Sequence, residues 1–312
     1  MSVEQPLIII CGPTGVGKSA LVLKLAETLN AEIISADAGQ VYQGFDIGTA
    51  KPGAKERAEV PHHCIDLWAP TVQSDAVLWA AAADQAIEKI RQRGKRPLIV
   101  GGTGFYLKAL VHGVFPSPDP DPALRQRLQA EFAEAGGQEL HQRLQAVDPE
   151  SAAQIHPNDP VRLVRALEYY EQTGKRISEE RAKHHFQEMR YQVVQIGLTR
   201  DRDALYNDIN QRVVAMMSEG WREEAYHLYN KWGGEIPAFQ MIGYRQLRES
   251  FEGRLAETDV VTSIQQASRH YAKRQLTWFR SDESIQWVDS DEGQEDTLHR
   301  VQEIVGLRKH LR

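Results

Sequence analysis

The sequence contains few cysteines and no long hydrophobic segment. Two cysteines among 312 residues, Cys11 and Cys64, are too few for a disulfide framework or a four-thiolate zinc site. We therefore expect two buried, reduced thiols. No apolar run approaches the roughly 20 residues that a membrane-spanning helix requires. The first residues carry no basic segment before their apolar stretch, so we expect no secretory signal and a cytoplasmic protein.

An excess of basic charge is also absent. The formal net charge is −6, which argues against a surface coated in basic residues for bulk nucleic-acid binding. A local basic groove remains compatible with this value, because phosphates respond to the nearby field. Hydrophobic residues make up 41% and charged residues 26% of the chain, which excludes a globally disordered protein.

The strongest motif is a phosphate-binding loop near the amino terminus. Residues 12–19 match G-x-x-x-x-G-K-[ST], between a β-branched apolar run at 7–11 and a helical pattern at 20–29. Such a loop turns backbone N–H groups and a helix amino terminus towards an anion. Lys18 adds a point charge, and the Ser19 hydroxyl can bind Mg²⁺. The predicted phosphate-binding residues are Gly12, Pro13, Thr14, Gly15, Val16, Gly17, Lys18 and Ser19.

The loop alone does not identify the group that is transferred. A kinase or NTPase moves the phosphoryl group, whereas a prenyltransferase holds departing diphosphate in the same loop. A second predicted strand, 32–36, ends at Asp37. A carboxylate there lies where parallel α/β folds keep their chemistry. It could serve as a metal ligand, a kinase-type base or a base acting on an amine, or it could cap the following turn.

A series of motifs resembles those of the tRNA dimethylallyltransferases along nearly the whole chain. The loop at 12–19 is followed by D-x-x-Q-V-Y at 37–42 and D-I-G-T-A-K-P at 46–52. The similarity continues with P-H-H-C-I-D at 61–66 and with the segments 97–106, 155–168, 242–246 and 271–280. A P-loop occurs in many enzymes, but this ordered series is specific.

The resemblance implies transfer of a dimethylallyl group from dimethylallyl diphosphate to the exocyclic amine of the adenosine immediately 3′ of a tRNA anticodon. Asp37 would accept the amine proton, and Thr14, Lys18 and Ser19 would hold the diphosphate with a bridging Mg²⁺. The positions that match tRNA-contacting segments of the family are Asp37, Ala38, Gly39, Gln40, Thr103, Arg125, Asn158, Arg162, Arg165, Gly243, Tyr244, Arg245, Lys273, Arg274, Gln275, Trp278 and Arg280.

Three positions depart from the family pattern. Ala38 stands where Ser is common, and Gln43 and Asp208 stand where Arg is common. Asp208 puts in doubt a diphosphate or tRNA contact at that position, and Arg212 is a candidate to compensate.

The segment 264–281 combines basic and aromatic residues and contains no acidic residue. The first acidic residue after it is Asp282. Arginine and lysine suit backbone phosphates, and aromatic rings suit unpaired bases of a single-stranded loop. An ordinary helix with aromatic core residues and surface arginines is the alternative. To reach the amine of a stacked base, an enzyme must flip that base into a deep pocket, and we predict residues 241–244 as one wall.

The sequence predicts an α/β fold: a P-loop core with a doubly wound parallel sheet, a helical insertion domain and a helical carboxyl-terminal half. The alternating prolines at 116–122 predict a linker. We assign residues 1–118 to the first part of the core, 119–188 to the helical insertion, and 189–312 to the rest of the core. Within the last part we predict a strand at 191–198, a solvated acidic loop at 289–295 and a helix at 297–311.

Three other functions remain open from sequence. They are a small-molecule P-loop kinase or NTPase, an adenylate isopentenyltransferase that modifies a free nucleotide, and an RNA-binding protein without catalysis. The paired histidines at 62–63 and 184–185 lack cysteines or carboxylates at ligand spacing, so we predict no zinc site. We expect a monomer that binds a prenyl diphosphate and a tRNA anticodon stem-loop, and no membrane.

Overall fold

The computed structural model describes residues 5–115, 118–119, 121–184 and 189–306. In this part of the chain, six strands form one parallel sheet in the order β3-β2-β4-β1-β5-β6. The strands are β1 (Leu7–Cys11), β2 (Ala31–Ala36), β3 (His62–His63), β4 (Arg96–Gly101), β5 (Val193–Thr199) and β6 (Gln286–Asp289).

The described residues form fourteen α-helices. They are α1 (Lys18–Leu29), α2 (Ala54–Glu59), α3 (Ala76–Gln92), α4 (Gly104–His112), α5 (Pro122–Ala135), α6 (Gly137–Val147), α7 (Pro149–Gln154), α8 (Pro160–Thr173), α9 (Ile177–His184), α10 (Arg202–Ser218), α11 (Trp221–Trp232), α12 (Tyr244–Phe251), α13 (Val260–Arg280) and α14 (Gln294–Ile304). None of them is long and apolar enough to cross a membrane.

The central strands are buried on both faces. Every residue of β1 and β2 is buried, as expected for strands covered by helices on each side of a parallel sheet; β1 is apolar throughout, and β2 also buries Glu32 and Ser35. Ile9 and Ile10 pair with Ile99 and Val100 of β4, so that β1, β2 and β4 end at one edge. The predicted doubly wound α/β core is confirmed.

The chain divides into two compact units. One unit comprises residues 1–111 and 190–312 and contains the sheet. The other, His112–Met189, contains α5 to α9. The predicted insertion began later, at residue 119. Three of its helices start at an Asp-Pro pair: Asp121, Asp148 and Asp159 each accept backbone N–H groups of the first turn, and proline occupies the first helical position.

Two local predictions were wrong in their bounds. The predicted linker at 116–122 ends earlier, because Pro122 begins α5. Three of its residues, Pro116, Ser117 and Pro120, lie outside the described residues. The end predicted for the helical insertion, residue 188, also lies outside them. The acidic segment 289–295 is exposed except for the partly buried Ser290, as predicted for a solvated segment, but only residues 290–293 lie in a loop between β6 and α14. Asp289 closes β6, and Asp291 accepts a hydrogen bond from Arg200 at 2.9 Å. Strand β6 escaped prediction because only Val288 within it is buried, which leaves almost no hydrophobic pattern.

The carboxyl-terminal helix α14 begins at Gln294 and packs against α1, with Val301 fully buried. The predicted helix at 297–311 therefore starts earlier, and its last residues lie outside the described part of the chain. Cys11 and Cys64 are free and buried, as expected, and burial raises the pKa of each thiol to about 12.

Candidate active site

A cavity of about 460 Å³ opens where β1, β2 and β4 end. This is the edge at which parallel α/β sheets bind ligands. The sheet supplies Thr14, Asp37 and Gly102 from the turns that follow the three strands. Helices α10, α11 and α13 supply much of the opposite wall. Its residues include Ile209, Arg212, Val213, Met216, Trp221, Ser268, Tyr271, Arg274 and Gln275.

The turn after β1 has the conformation that its glycines permit. Gly12, Gly15 and Gly17 have φ values of 143°, 83° and 94°, which L-residues with a Cβ rarely adopt. A Cβ at Gly12 would also lie 2.7 Å from the carbonyl oxygen of Leu198. Lys18, the first residue of α1, folds back on the loop, and its Nζ donates to the carbonyls of Gly12 at 2.9 Å and Pro13 at 2.7 Å.

Two cations converge on this loop. The guanidinium of Arg212 donates to the Thr14 hydroxyl at 3.4 Å. Burial and the nearby Arg212 lower the pKa of Lys18 to about 8, with Asp37 acting in the opposite direction. Burial also lowers the pKa of Arg212. Neither side chain forms a salt bridge within the described residues. The loop thus holds positive charge that an anionic ligand would neutralise.

The protein oxygens at the loop suit a magnesium ion only when a bound phosphate group supplies further oxygens. Ser19 is exposed at the first turn of α1 and lines the cavity. No three His, Cys, Asp or Glu side chains among the described residues come together as metal ligands. Mg²⁺ typically takes one or two protein oxygens and completes its shell with phosphate oxygens and water. The Ser19 hydroxyl fits that role.

Asp37 is held in one orientation after β2. Its Oδ1 accepts the backbone N–H groups of Gly39 at 2.8 Å and Gln40 at 3.3 Å. Its Oδ2 receives no hydrogen bond from a described residue, and the side chain lines the cavity. One carboxylate oxygen is thus used for positioning, and the other has no hydrogen-bond donor among the described residues.

Thr103 ties the turn after β4 to the turn after β2. Its N–H donates to the carbonyl of Ala36 at 3.1 Å, and its Oγ1 accepts the N–H of Ala38 at 3.0 Å. Tyr271 of α13 lines the same cavity, and burial raises the pKa of its phenol to about 12. Thr103 was predicted to contact tRNA; in this structure it fixes the backbone beside Asp37.

The segment 46–50 forms another wall of the cavity. Gln40 donates to the carbonyls of Thr49 and Ala50, both at 3.2 Å, and accepts from Ser35 at 2.8 Å. Glu224 of α11 accepts the N–H groups of Asp46 at 3.1 Å and Ile47 at 2.9 Å. Helix α11 therefore holds this segment against the cavity.

Residues 241–244 line the cavity as the sequence predicted, through Met241, Ile242 and Tyr244. Gly243 packs so closely on Trp221 that a Cβ would lie 2.0 Å from the indole ring. The Tyr244 side chain is fully buried, and its hydroxyl donates to Glu224 and accepts from the N–H of Gly48 at 3.1 Å. Arg245, by contrast, is exposed.

Helix α13 carries the basic and aromatic surface. Lys273, Arg274, Trp278 and Arg280 are exposed. Trp278 is 42% exposed and contacts the 48% exposed ring of Phe105 edge to face, with centroids 6.4 Å apart. Gln275, predicted with them as a tRNA contact, is instead buried, although it reaches the cavity.

Four other predicted tRNA contacts lie in the helical unit. The fully buried carboxylate of Glu168 accepts from Arg125 and Arg165, each at 2.8 Å. Arg162 pairs with Asp159 at 3.3 Å, and the N–H of Asn158 donates to His156. Two of the arginines are thus oriented by a buried acid, which sequence pattern did not indicate.

Arg212 and Asp208, which departs from the family pattern, have different partners in the structure. Asp208 lies on α10 one turn before Arg212 and pairs with Arg200. Arg212 is the residue of α10 whose side chain hydrogen-bonds the loop. The sequence named Arg212 only as a candidate to compensate for Asp208, because a single arginine in a helix carries no signal of the direction in which it points. Gln43 is another position that departs from the family pattern, and its side-chain amide donates to the carbonyl of Asp66 at 3.1 Å.

The fold and this site define a P-loop α/β enzyme in which one carboxylate and an anion-binding loop share a cavity. A family model described as IPP transferase matches residues 40–282. The chain is 44% identical to a tRNA dimethylallyltransferase of Geobacter sulfurreducens over 92% of both chains. It is also 44% identical to that of Bacillus subtilis, over 92% of this chain and 91% of the relative.

Solved structures agree with these matches. A tRNA isopentenylpyrophosphate transferase of Bacillus halodurans superposes with a TM-score of 0.71 at 37% identity, over 97% of both chains. A eukaryotic dimethylallyltransferase acting on tRNA gives 0.77 at 29% identity, over 96% of this chain and 78% of that one. The chain belongs to the tRNA dimethylallyltransferase family. The predicted family and the predicted enzyme class, a prenyltransferase, are confirmed.

Proposed function

We propose that this protein transfers the dimethylallyl group of dimethylallyl diphosphate to the exocyclic amine of the adenosine 3′-adjacent to a tRNA anticodon. One observation carries the proposal: Asp37 and the loop that contains Lys18 line the same cavity from different strands of one sheet edge. The donor can therefore lie with its diphosphate at the loop while its allylic carbon faces the side on which Asp37 lies.

In the reaction, the amine nitrogen forms a bond to the allylic C1 as the bond from C1 to the diphosphate oxygen breaks. Positive charge develops on nitrogen, which acidifies its proton, and Oδ2 of Asp37 accepts that proton. The N–H groups of Gly39 and Gln40 hold the other oxygen and keep the carboxylate in place. Diphosphate leaves with the electron pair of the broken bond.

The loop stabilises the leaving group. Lys18, Arg212 and the amides at the start of α1 supply positive charge where the departing diphosphate gains negative charge. Burial makes this charge more effective than it would be in water. Mg²⁺, held by Ser19 and diphosphate oxygens, would add charge neutralisation there. We assign these roles to Thr14, Lys18, Ser19 and Arg212.

The tRNA would approach along α13. Exposed Lys273, Arg274 and Arg280 offer phosphate contacts, and Trp278 with Phe105 offers a surface for an unpaired base. We retain Arg125, Asn158, Arg162 and Arg165 of the helical unit as proposed tRNA contacts.

Radiolabelled dimethylallyl diphosphate, offered to tRNA, AMP and ATP in parallel, tests the proposal. We expect label in tRNA only, and release of one diphosphate per label transferred. Label in AMP would indicate an adenylate isopentenyltransferase. ATP turnover without any transfer of label would indicate a kinase or NTPase.

A further inference from the structure

Gln275 bridges two loops of the active site. It lies in α13 between the exposed Arg274 and Trp278, yet it is only 6% exposed. Its Oε1 accepts the backbone N–H of Thr14 at 2.9 Å, and its Nε2 donates to the carbonyl of Gly102 at 2.9 Å. Both ends of the amide are therefore occupied by backbone groups of the enzyme.

Each of these two loops leads to a different part of the proposed chemistry. Thr14 belongs to the loop that would hold the diphosphate, and its hydroxyl receives Arg212. Gly102 precedes Thr103, which accepts the N–H of Ala38 directly after Asp37. Three hydrogen bonds, together with the peptide links 102–103 and 37–38, thus connect the diphosphate loop through Gln275 to the residue that carries the carboxylate.

The fit around the Gln275 amide is tight. A Cβ on Gly102 would lie 2.2 Å from Nε2, so the amide occupies the space that any side chain at position 102 would need. Gly102 has no positive φ, so an alanine there is compatible with the backbone conformation. A Cβ there would also lie 3.3 Å from the carbonyl oxygen of Gly12, so the space at this position is limited mainly by Gln275 and not by backbone strain.

We infer that Gln275 is a positioning residue that sets the separation of the diphosphate loop from the base, and that it does not contact tRNA. This inference rests on the proposed transfer reaction. Reacting atoms must approach to about 3–3.5 Å, and a misplacement of about 1 Å can lower the rate about 100-fold. A residue that spans both loops controls that distance without touching the reacting atoms.

Gln275→Met tests this assignment, because methionine has similar length but forms neither hydrogen bond. We expect kcat to fall at least about tenfold, while the affinity for an anticodon stem-loop stays within about twofold of wild type. Calorimetry measures stem-loop binding, and also inorganic diphosphate binding, without turnover. A tenfold loss of stem-loop affinity at unchanged kcat would overturn the inference and restore Gln275 as a tRNA contact.

Gln265→Met is the matched control on the same helix. Its Nε2 donates to the carbonyl of Asn210 at 3.1 Å, away from both loops, so we expect unchanged kcat. An equal loss of kcat in both variants would show a general effect on α13 and refute the special role of Gln275.

Gly102→Ala provides a second variant should Gln275→Met fail to fold. Its methyl group displaces the Gln275 amide, and we expect the same fall in kcat with stem-loop binding preserved. Gly53→Ala, where the nearest atom lies at 3.9 Å, is its control. If wild-type enzyme transfers no label to tRNA, the proposed function fails; if it transfers label and kcat of both Gln275→Met and Gly102→Ala stays normal, only this inference fails.

Discussion

The hydroxyl of Thr103 accepts the backbone N–H of Ala38 at 3.0 Å, which joins the loop after β4 to the loop after β2. Ala38 directly follows Asp37, so this bond limits the movement of the carboxylate that we propose as the base. The family commonly has serine at position 38, but the contact uses only its backbone. The alanine in this chain therefore preserves the bond.

Replacement of Asp37 by asparagine removes the proposed base but preserves the hydrogen bonds that hold the turn. The amide oxygen of the introduced side chain can still accept from Gly39 and Gln40, but that side chain cannot accept the amine proton. We expect kcat to fall by about 100-fold or more, which is the usual contribution of a general base. Single-turnover transfer and stem-loop affinity should be measured together. A large loss of affinity with normal turnover would contradict the base role.

Arg212→Met should weaken donor binding. It removes the guanidinium that meets the Thr14 hydroxyl, and we expect the donor KM to rise about tenfold, as for the loss of one charge-assisted contact. Asp208→Ala is the control on the same helix, since Asp208 pairs with Arg200. Equal effects of the two substitutions would argue that Arg212 acts only through the stability of α10.

The protonation of Lys18 should control donor affinity near pH 8. Burial and Arg212 lower the pKa of folded Lys18 to about 8 from 10.5, so between these values the unfolded chain retains a proton that the folded chain has lost. Stability from this group consequently rises with pH across that window, and the burial penalty is fully present below pH 8. Affinity for the anionic donor changes in the opposite direction and falls as pH rises through about 8.

Titration of a non-reactive donor analogue between pH 7 and 9.5 measures that fall. Lys18→Met should bind weakly and lack the inflection near pH 8, which also corrects for ionisation of the ligand itself. Parallel curves for the two proteins would assign the pH dependence to another group.

Trp278→Ala and Arg274→Ala should weaken tRNA binding by different physical routes. Loss of a stacking surface costs about 1–3 kcal/mol per base and leaves the salt dependence unchanged. Loss of a phosphate contact lowers the salt slope by about one. Stem-loop affinity measured from 50 to 300 mM salt distinguishes them. An unchanged slope for Arg274→Ala would remove its assigned phosphate contact.

Glu168→Gln should destabilise the helical unit. Although burial raises the pKa of Glu168, the hydrogen bonds from Arg125 and Arg165 hold it below its ordinary value, so the acid is charged. Removing this charge weakens the hydrogen bonds that Arg125 and Arg165 donate, and because both side chains are about one-third exposed we expect a cost of about 1–2 kcal/mol. Hydrogen exchange in full-length protein should accelerate within α5 and α8 and remain normal in β1 and β4. Uniform protection in all four elements would contradict this account.

Local patterns were sufficient to predict several elements of the core. The buried apolar runs of β1 and β2 are local signals, and the structure contains both strands where those runs predict them. Strand β6 has one buried residue and pairs only through its backbone with β5, so its assignment needs the neighbouring strand. Short edge strands of this kind lack the periodicity on which sequence analysis depends.

The amino-acid sequence by itself determined the phosphate loop, the carboxylate after the second strand and the family, because each resides in contiguous residues whose chemistry is evident from their order. Only the tertiary structure decided that Arg212 reaches Thr14, that Glu224 and Tyr244 hold the segment 46–50, and that Gln275 faces inward between exposed neighbours. These contacts join residues up to 261 positions apart. The direction of a side chain on a helix depends on how that helix packs, and packing is a property of the whole fold.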